Sequence, residues 1–387
     1  MRHEAIAELL DVYFESGESP FIWGRPGCGK TSMVREWSKT QAEKMGRKWF
    51  DMTCAEYKDV PKEIEKTLYF MSLDLLNRTA EDLVGVPKMQ GSEAGDEGLH
   101  WLPPWKMKFM SRPGLCGVIF IDELIQAHPQ IQQGIANLIL EGGIGEVAIS
   151  SKVMRIAASN RSEDRCGFQG ILPHLESRMT HMELDVPTAN EWAIWATHAG
   201  IIPEIMAFIM NGEGRLFVEL ENRKTESHNW PCPRSWAALS ASLKVAKTRP
   251  DYMKMWQVLA ANRVGSEMAN AFIHYCQENC QIDWEKVLSG DIPLRDQTKP
   301  LTHGQIYAFT SWAAVNAIEP KRFMQAYAIL MGEKIEKDFA FRFLSMSKKR
   351  IQNTPGFAVA CSKFQPKFLQ VLHRELGINL EGVEVKD

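Results

Sequence analysis

The chain has 387 residues, of which 45% are hydrophobic and 24% are charged, and its formal net charge is -3. This composition is typical of an ordinary globular protein and excludes general disorder. The small net charge gives no overall basic field, so a nucleic-acid partner would need a local basic patch. The length predicts two or three domains.

The start of the chain and its cysteines indicate the environment of the protein. Met1 to Ala5 contains no apolar signal segment, and no run approaches the roughly 20 apolar residues of a membrane span. The 8 cysteines show no C-x-x-C spacing, which is typical of reduced thiols. Cys276 and Cys280, near His274, lack the further ligands that a zinc site needs. These features predict a cytoplasmic protein without membrane contact.

A phosphate-binding loop follows a helix predicted over residues 3–16. Phe21-Ile22-Trp23 is an apolar run typical of a buried strand, and it leads directly into the pattern G-x-x-x-x-G-K-T. After the pattern, apolar residues recur at helical spacing. This strand, loop and helix context predicts that nucleotide is bound by Gly24, Arg25, Pro26, Gly27, Cys28, Gly29, Lys30, Thr31 and Ser32.

The residues of this loop suit ATP and Mg²⁺. The glycines let backbone N–H groups surround an anion, Lys30 can reach the β- and γ-phosphates, and the Thr31 hydroxyl can bind Mg²⁺. GTP is the lesser alternative, because the sequence has no N-K-x-D segment that would read guanine.

Two strands are predicted next, over residues 48–52 and 66–74. A stretch rich in glycine and proline follows. In it Trp101 and Trp105 flank a Pro-Pro pair, which predicts either a rigid exposed insertion or two rings that close a core.

A third apolar run, Gly117 to Ile121, ends in Asp122 and Glu123. A buried strand that ends in acids lies where ligands bind in open α/β sheets. Asp122 is therefore predicted to hold Mg²⁺, and Glu123 to orient and deprotonate the attacking water. A helix is predicted from His128-Pro129, because proline suits the first helical turn.

A hairpin is predicted over residues 141–149 and a strand over residues 153–160. The amide of Asn160, at the end of this strand, can hydrogen-bond the γ-phosphate or the attacking water. Arg161, Arg165 and Arg178 follow, and an arginine is expected to stabilise charge on a transferring phosphoryl group. Beyond Glu183 the pattern becomes helical.

In this order, the phosphate loop, Val118 to Glu123, Asn160 and Arg178 resemble the motifs of an AAA+ ATPase of the MoxR-like group, the bacterial and phage type with a dynein-related ATPase domain. The resemblance covers residues 3–245. It extends to three further segments, Asp82-Leu83-Val84-Gly85-Val86-Pro87, Leu138 to Glu146, and Pro233-Arg234-Ser235-Trp236.

The resemblance implies an α/β fold: a P-loop parallel sheet sandwiched by helices, followed by an α-helical lid and a mainly helical C-terminal region. The nucleotide-binding core is expected at 1–187, the lid at 188–250 and an accessory region at 251–387. Asn160 would be sensor 1, Arg178 the arginine finger that reaches the neighbouring subunit, and Arg234 the sensor 2 arginine of the lid.

The resemblance also implies an ATP-hydrolysing ring, expected to be a homohexamer, that remodels a protein partner in the manner of a chaperone. The insertion at 87–105 and the hairpin near 142–152 would face its pore or substrate. Partners of this group commonly carry a von Willebrand factor A domain.

Two other functions stay open. A DNA-directed AAA+ ATPase, such as a helicase loader, would need a basic face, and Lys348-Lys349-Arg350 is the obvious basic run. A nucleotide-gated scaffold would bind ATP without turnover, and the intact Glu123 argues against it.

Overall fold

The computed structural model describes residues 1–76, 78–90, 98–164, 170–218, 229–291, 301–332, 335–354 and 356–378. The chain forms two compact units, Met1–Val186 and Pro187–Asp387. The second unit contains both the predicted lid and the predicted accessory region. The division between these two at residue 250 stays a prediction.

The first unit contains ten strands and six α-helices in the described ranges. Its strands are β1 (Pro20–Gly24), β2 (Lys48–Asp51), β3 (Thr67–Asp74), β4 (Val86–Gln90), β5 (Gly98–Leu102), β6 (Cys116–Asp122), β7 (Gly143–Ile144), β8 (Val147–Ala148), β9 (Val153–Ser159) and β10 (Thr180–Leu184). Its helices are α1 (His3–Ser16), α2 (Lys30–Lys44), α3 (Ala80–Val84), α4 (Trp105–Met110), α5 (Pro129–Glu141) and α6 (Pro173–Glu176).

Six of these strands form one sheet in the order β10-β1-β9-β6-β3-β2. Every neighbouring pair in it is parallel. Strand β9 lies between β1 and β6, although it follows both of them in the chain. The carboxyl ends of β1, β9 and β6 therefore lie side by side at one edge of the sheet.

Alternate residues of the central strand β6 face opposite layers. Val118 and Phe120 share a buried cluster with residues of α1 and α2. Ile119 and Ile121 share another with residues of α4 and α5. A parallel strand covered on both faces must be apolar on both, which explains the continuous apolar run in the sequence. The predicted α/β fold, a P-loop parallel sheet sandwiched by helices, is confirmed.

The predicted insertion at 87–105 is not a loop in the described residues. Strands β4 and β5 pair antiparallel, from Val86 opposite Leu102 to Gln90 opposite Gly98. Residues 91–97 lie outside the described ranges. Just before the hairpin, Gly85 has φ 100° and passes so close to Leu102 that a Cβ would meet its carbonyl oxygen at 2.0 Å. Only glycine fits there.

The two tryptophans of this segment match neither predicted arrangement fully, that is, neither a rigid exposed insertion nor two rings that close a core. Trp101 and Trp105 are both half-buried. Trp105 packs edge-to-face on Tyr57, with ring centres 5.5 Å apart. Trp105 packs against the buried cluster of the first unit, and both rings remain partly exposed.

The hairpin predicted over 141–149 is confirmed, since β7 and β8 pair antiparallel. The helix predicted from His128-Pro129 is also confirmed. His128 caps α5, and its ring nitrogen Nδ1 accepts a hydrogen bond from the N–H of Gln130.

The described part of the second unit is helical. It comprises α7 (Ala189–His198), α8 (Pro203–Met210), α9 (Pro233–Ala246), α10 (Tyr252–Val264), α11 (Ser266–Asn279), α12 (Trp284–Ser289), α13 (His303–Asn316), α14 (Pro320–Leu330), α15 (Lys337–Asn353), α16 (Phe357–Ser362) and α17 (Phe368–Leu376). One buried cluster runs from Trp192 to Ile378. Of the helices described in the two units, none is long and apolar enough to cross a membrane.

Candidate nucleotide site

The phosphate loop connects β1 to α2 at the carboxyl edge of the sheet. Gly29, the residue before α2, has φ 101°, a backbone conformation that favours glycine. Among the residues that the structure describes, no side chain caps this helix end, and the first turn of α2 has no acidic residue. The first N–H groups of α2 and its positive dipole end are therefore available to an anion.

Lys30 is 7% exposed, and its ammonium group contacts only neutral acceptors in the described residues. Its Nζ donates to the carbonyl oxygen of Gly24 at 2.8 Å and of Arg25 at 3.4 Å, and to Oδ1 of Asn160 at 2.7 Å. A buried cation without a carboxylate partner favours an anionic ligand beside it. Lys30 therefore fits the phosphate groups of a nucleotide.

Thr31 and Asp122 meet beside the loop. The Thr31 hydroxyl donates to Oδ2 of Asp122 at 2.7 Å. A hydroxyl and a carboxylate supply the hard oxygen ligands that Mg²⁺ prefers, usually together with waters and phosphate oxygens. The two predicted metal residues are brought together and fit a nucleotide-bound Mg²⁺.

Asn160 links the phosphate loop to the predicted general base. Its Oδ1 accepts from Lys30, while its Nδ2 donates to both carboxylate oxygens of Glu123, at 3.0 and 3.2 Å. Asn160 is 5% exposed. Because β9 lies between β1 and β6, the amide separates the buried ammonium from the carboxylate.

Glu123 has the left-handed backbone angle φ 60°, which costs a non-glycine residue about 1 kcal/mol or more. The strained turn directs its carboxylate to Asn160, and its N–H donates to Oδ1 of Asp122 at 3.0 Å. Burial raises the pKa of the Glu123 carboxyl, and the negative charge of Asp122 raises it further, against the opposing effects of Lys30 and Asn160. A raised pKa suits a carboxylate that must accept a proton from water.

Asp74 is a third acid at this edge that sequence reasoning missed. It ends β3 and stands directly opposite Asp122 in the sheet register. Its negative charge also raises the pKa of Glu123. A sequence feature could have identified Asp74, because it is an acid at the end of the apolar run Thr67 to Leu73, the same pattern that identified Asp122.

Cys28 is enclosed by the loop that it belongs to. Cys28 is 1% exposed, and burial raises the pKa of its thiol. A Cβ on Gly24 would lie 3.0 Å from Cys28 Sγ. The thiol thus fills the space that the glycine leaves open.

Arg178 is not brought to this site within its own chain. It lies two residues before β10, whose first residue Thr180 is opposite Pro20, whereas the phosphate loop starts after the other end of β1. The four steps from Pro20 to Gly24 correspond to roughly 13 Å along the strand. The Arg178 side chain is exposed and, among the described residues, makes no ion pair.

The remaining predicted arginines have other surroundings. Arg161 forms ion pairs with Asp164 and Glu183, with nitrogen-to-oxygen distances of 3.4 and 2.9 Å. Arg165 lies outside the described residues. Arg234 stands in the first turn of α9 in the second unit, and its role stays a prediction.

Comparisons with known proteins give no family. No family model matches the sequence, and no curated protein matches it. Many solved structures resemble it, and the three described next have TM-scores below 0.5, which carry no argument about function. NtrX from Brucella abortus shares 14% identity at TM-score 0.35, over 88% of this chain and 67% of its own. A RuvB mutant from Thermotoga maritima shares 14% at 0.37, over 81% of each chain. ORC2 from Aeropyrum pernix, in its ADPNP-ADP complexes, shares 12% at 0.35, over 97% of this chain and 85% of its own.

Proposed function

We propose that this chain is a Mg²⁺-dependent ATP hydrolase of the AAA+ class. The observation that carries the proposal is the arrangement at the carboxyl edge of the sheet: Lys30 joined through Asn160 to Glu123, beside the Thr31–Asp122 pair. It provides an anion site, a Mg²⁺ site and a base within one set of hydrogen bonds.

Different residues of the chain have different roles in hydrolysis. The N–H groups of α2 and Lys30 bind and orient the phosphates, which brings the reaction close to unimolecular. Bound Mg²⁺ supplies charge neutralisation on the phosphate oxygens. Glu123 takes a proton from a water, and Asn160 holds the carboxylate in the direction that this transfer requires.

The finer proposal is a MoxR-like ring that remodels a protein partner. The two hairpins of the first unit meet, since His100 of β5 lies 3.5 Å from Glu146 in the turn between β7 and β8. The β4–β5 hairpin exposes Val86, Met89 and Leu102. Exposed apolar side chains beside polar groups suit a protein partner, such as one with a von Willebrand factor A domain.

The basic run of the second unit gives little support to a DNA-directed function. The Arg350 guanidinium is turned inward, where it donates to the carbonyl oxygens of Ala314 and Ala317 at the end of α13. Two lysines remain from the run of three charges, too few for a basic face.

The first experiment compares Glu123→Gln with the wild type. Phosphate release should stop while ATP binding persists, and mass photometry with ATP and Mg²⁺ should show assembled rings. Glu8→Gln changes an exposed glutamate of α1 and serves as the matched control. Turnover by Glu123→Gln equal to that of the control would remove Glu123 from the mechanism.

The second experiment tests whether Arg178 acts on a neighbouring subunit. Lys30→Ala subunits cannot bind ATP, and Arg178→Ala subunits lack the finger, so each alone should be inactive. A one-to-one mixture should recover about a quarter of the wild-type activity, because half of the subunits can hydrolyse and half of their neighbours supply an arginine. Absence of any recovery would contradict action between subunits.

A further inference from the structure

His181 connects the strand of the phosphate loop to the turn that carries Arg178. It stands on β10 in register with Phe21 of β1. Its ring is stacked on the indole of Trp23, with centres 5.9 Å apart and planes 22° apart. Trp23 directly precedes Gly24, the first residue of the phosphate loop.

Both nitrogens of the His181 ring have a partner. The Trp23 indole Nε1–H lies 2.8 Å from His181 Nδ1, and His181 Nε2 lies 2.8 Å from the carbonyl oxygen of Glu176. An indole nitrogen can only donate and a carbonyl oxygen can only accept. The hydrogen-bond network therefore assigns the ring proton to Nε2, and the neutral ring satisfies both partners.

The turn that His181 contacts is short and ends in Arg178. Leu175 and Met179 are buried and anchor the turn on the core. The N–H groups of Ser177 and Arg178 bond within the turn, to the carbonyl oxygens of Pro173 and Leu175. The bond from His181 to Glu176 adds a tie between this turn and the sheet.

We propose that His181 is a positioning residue for Arg178. By bonding Glu176 on one side and Trp23 on the other, it holds the arginine turn in a fixed relation to the strand that ends in the phosphate loop. The inference rests on the proposed function, since it requires Arg178 to act on the nucleotide of a neighbouring subunit.

The test uses the mixed ring, in which the finger and the hydrolysing site belong to different subunits. His181→Phe keeps an aromatic ring beside Trp23 but removes both hydrogen bonds. His181→Gln keeps one acceptor and one donor on a planar group. Each is placed either in the Lys30→Ala subunits, which supply the finger, or in the Arg178→Ala subunits, which hydrolyse ATP.

In the finger-supplying subunits, His181→Phe should lower phosphate release by about tenfold to a hundredfold, the cost of a misplacement near 1 Å. In the hydrolysing subunits the same change should stay within about twofold. His181→Gln should restore most of the activity in the finger-supplying subunits. A general loss of structure would not distinguish the two placements.

Thr180→Val is the matched control, because Thr180 lies on β10 next to His181. The change removes the hydrogen bond from the Thr180 hydroxyl to Glu18 and leaves the bond between His181 and Glu176 intact. Thermal unfolding of each variant checks the fold. Equal losses in both placements, or no loss with His181→Phe, would overturn the positioning role while leaving the proposed function intact. An inactive parent mixture would overturn action between subunits and this inference with it.

Discussion

Asn160 can stand between a cation and an anion because its amide is both an acceptor and a donor. Its Oδ1 accepts a hydrogen bond from the Lys30 ammonium group, and its Nδ2 donates one to the Glu123 carboxylate. A direct ion pair would occupy the Lys30 ammonium group with a carboxylate and lower the pKa of that carboxyl. The neutral amide instead leaves the ammonium group bonded to a neutral oxygen, and the pKa of the Glu123 carboxyl stays raised.

Asn160→Ala should move the acidic limb of the pH profile of kcat to higher pH. The hydrogen bond from Asn160 favours the ionised form of Glu123 and so opposes the raised pKa of that carboxyl. Without the bond the pKa rises further, and the base becomes protonated at a higher pH as the solution is acidified. kcat at neutral pH should also fall by about 10²-fold. Phosphate release measured across pH at constant ionic strength checks both effects, and an unmoved limb would contradict them.

Asp74→Asn should move the same limb in the opposite direction. The Asp74 charge raises the pKa of Glu123, so a neutral amide at this position lowers that pKa and extends activity to lower pH. The asparagine can still accept the Leu76 N–H that Asp74 accepts at 3.0 Å. Asp59→Asn, at an exposed position, is the control. The same pH profile for both variants would mean that Asp74 does not act on Glu123.

The sequence predicts the members of this site better than their contacts. Lys30, Thr31, Asp122 and Glu123 follow from local patterns, because each motif stands directly after an apolar run. The link through Asn160 depends on the order of the strands, in which β9 separates β1 from β6. His181 escaped notice for the same reason, since its importance comes from Trp23, which is distant in the chain. Asp74 was missed although it ends an apolar run as Asp122 does.

At the scale of elements, Gln132 of α5 ties the segment before the Arg178 turn to the core. Its side chain is fully buried. Its Nε2 donates to the carbonyl oxygens of Ala127 and Gly170, and its Oε1 accepts from the N–H of Leu172. A polar side chain on the inner face of an apolar helix is thus explained by three backbone partners.

Gln132→Ala should destabilise the first unit by about 2–3 kcal/mol, because it leaves buried backbone groups without partners. The segment 170–176 should exchange its amide hydrogens faster, since it loses two of its ties to α5. Hydrogen exchange read by mass spectrometry measures this locally. Gln130→Ala, at an exposed position of the same helix, should change neither exchange nor stability. Equal protection of 170–176 in both variants would show that Gln132 does not hold this segment.

The hairpin of β4 and β5 shows why element type was harder to predict than the site. Pro87 and the glycine-rich residues that follow it interrupt the alternation by which a strand is recognised. The pairing partner, β5, is separated from β4 by residues 91–97, which carry no strand pattern. Cross-strand pairing rather than local preference therefore decides the structure here.

At the scale of the molecule, the described helices of the second unit share one core. Phe208 of α8 lies 5.7 Å from Trp236 of α9 and 5.4 Å from Phe272 of α11, measured between ring centres. Trp236 and Phe272 are 5.8 Å apart. The helices of the predicted lid thus supply large rings to a cluster that the predicted accessory region completes.

A fragment of residues 187–387 should therefore fold alone, whereas a fragment of residues 251–387 should not. Cutting at 250 removes Phe208 and Trp236 and exposes Phe272, and loss of one such ring already costs about 3–5 kcal/mol, a large part of a domain's stability. Circular dichroism should show a cooperative thermal transition for the longer fragment and none for the shorter. A cooperative transition in the shorter fragment would instead establish 251–387 as an independent domain, and with it the boundary that the sequence predicts at residue 250.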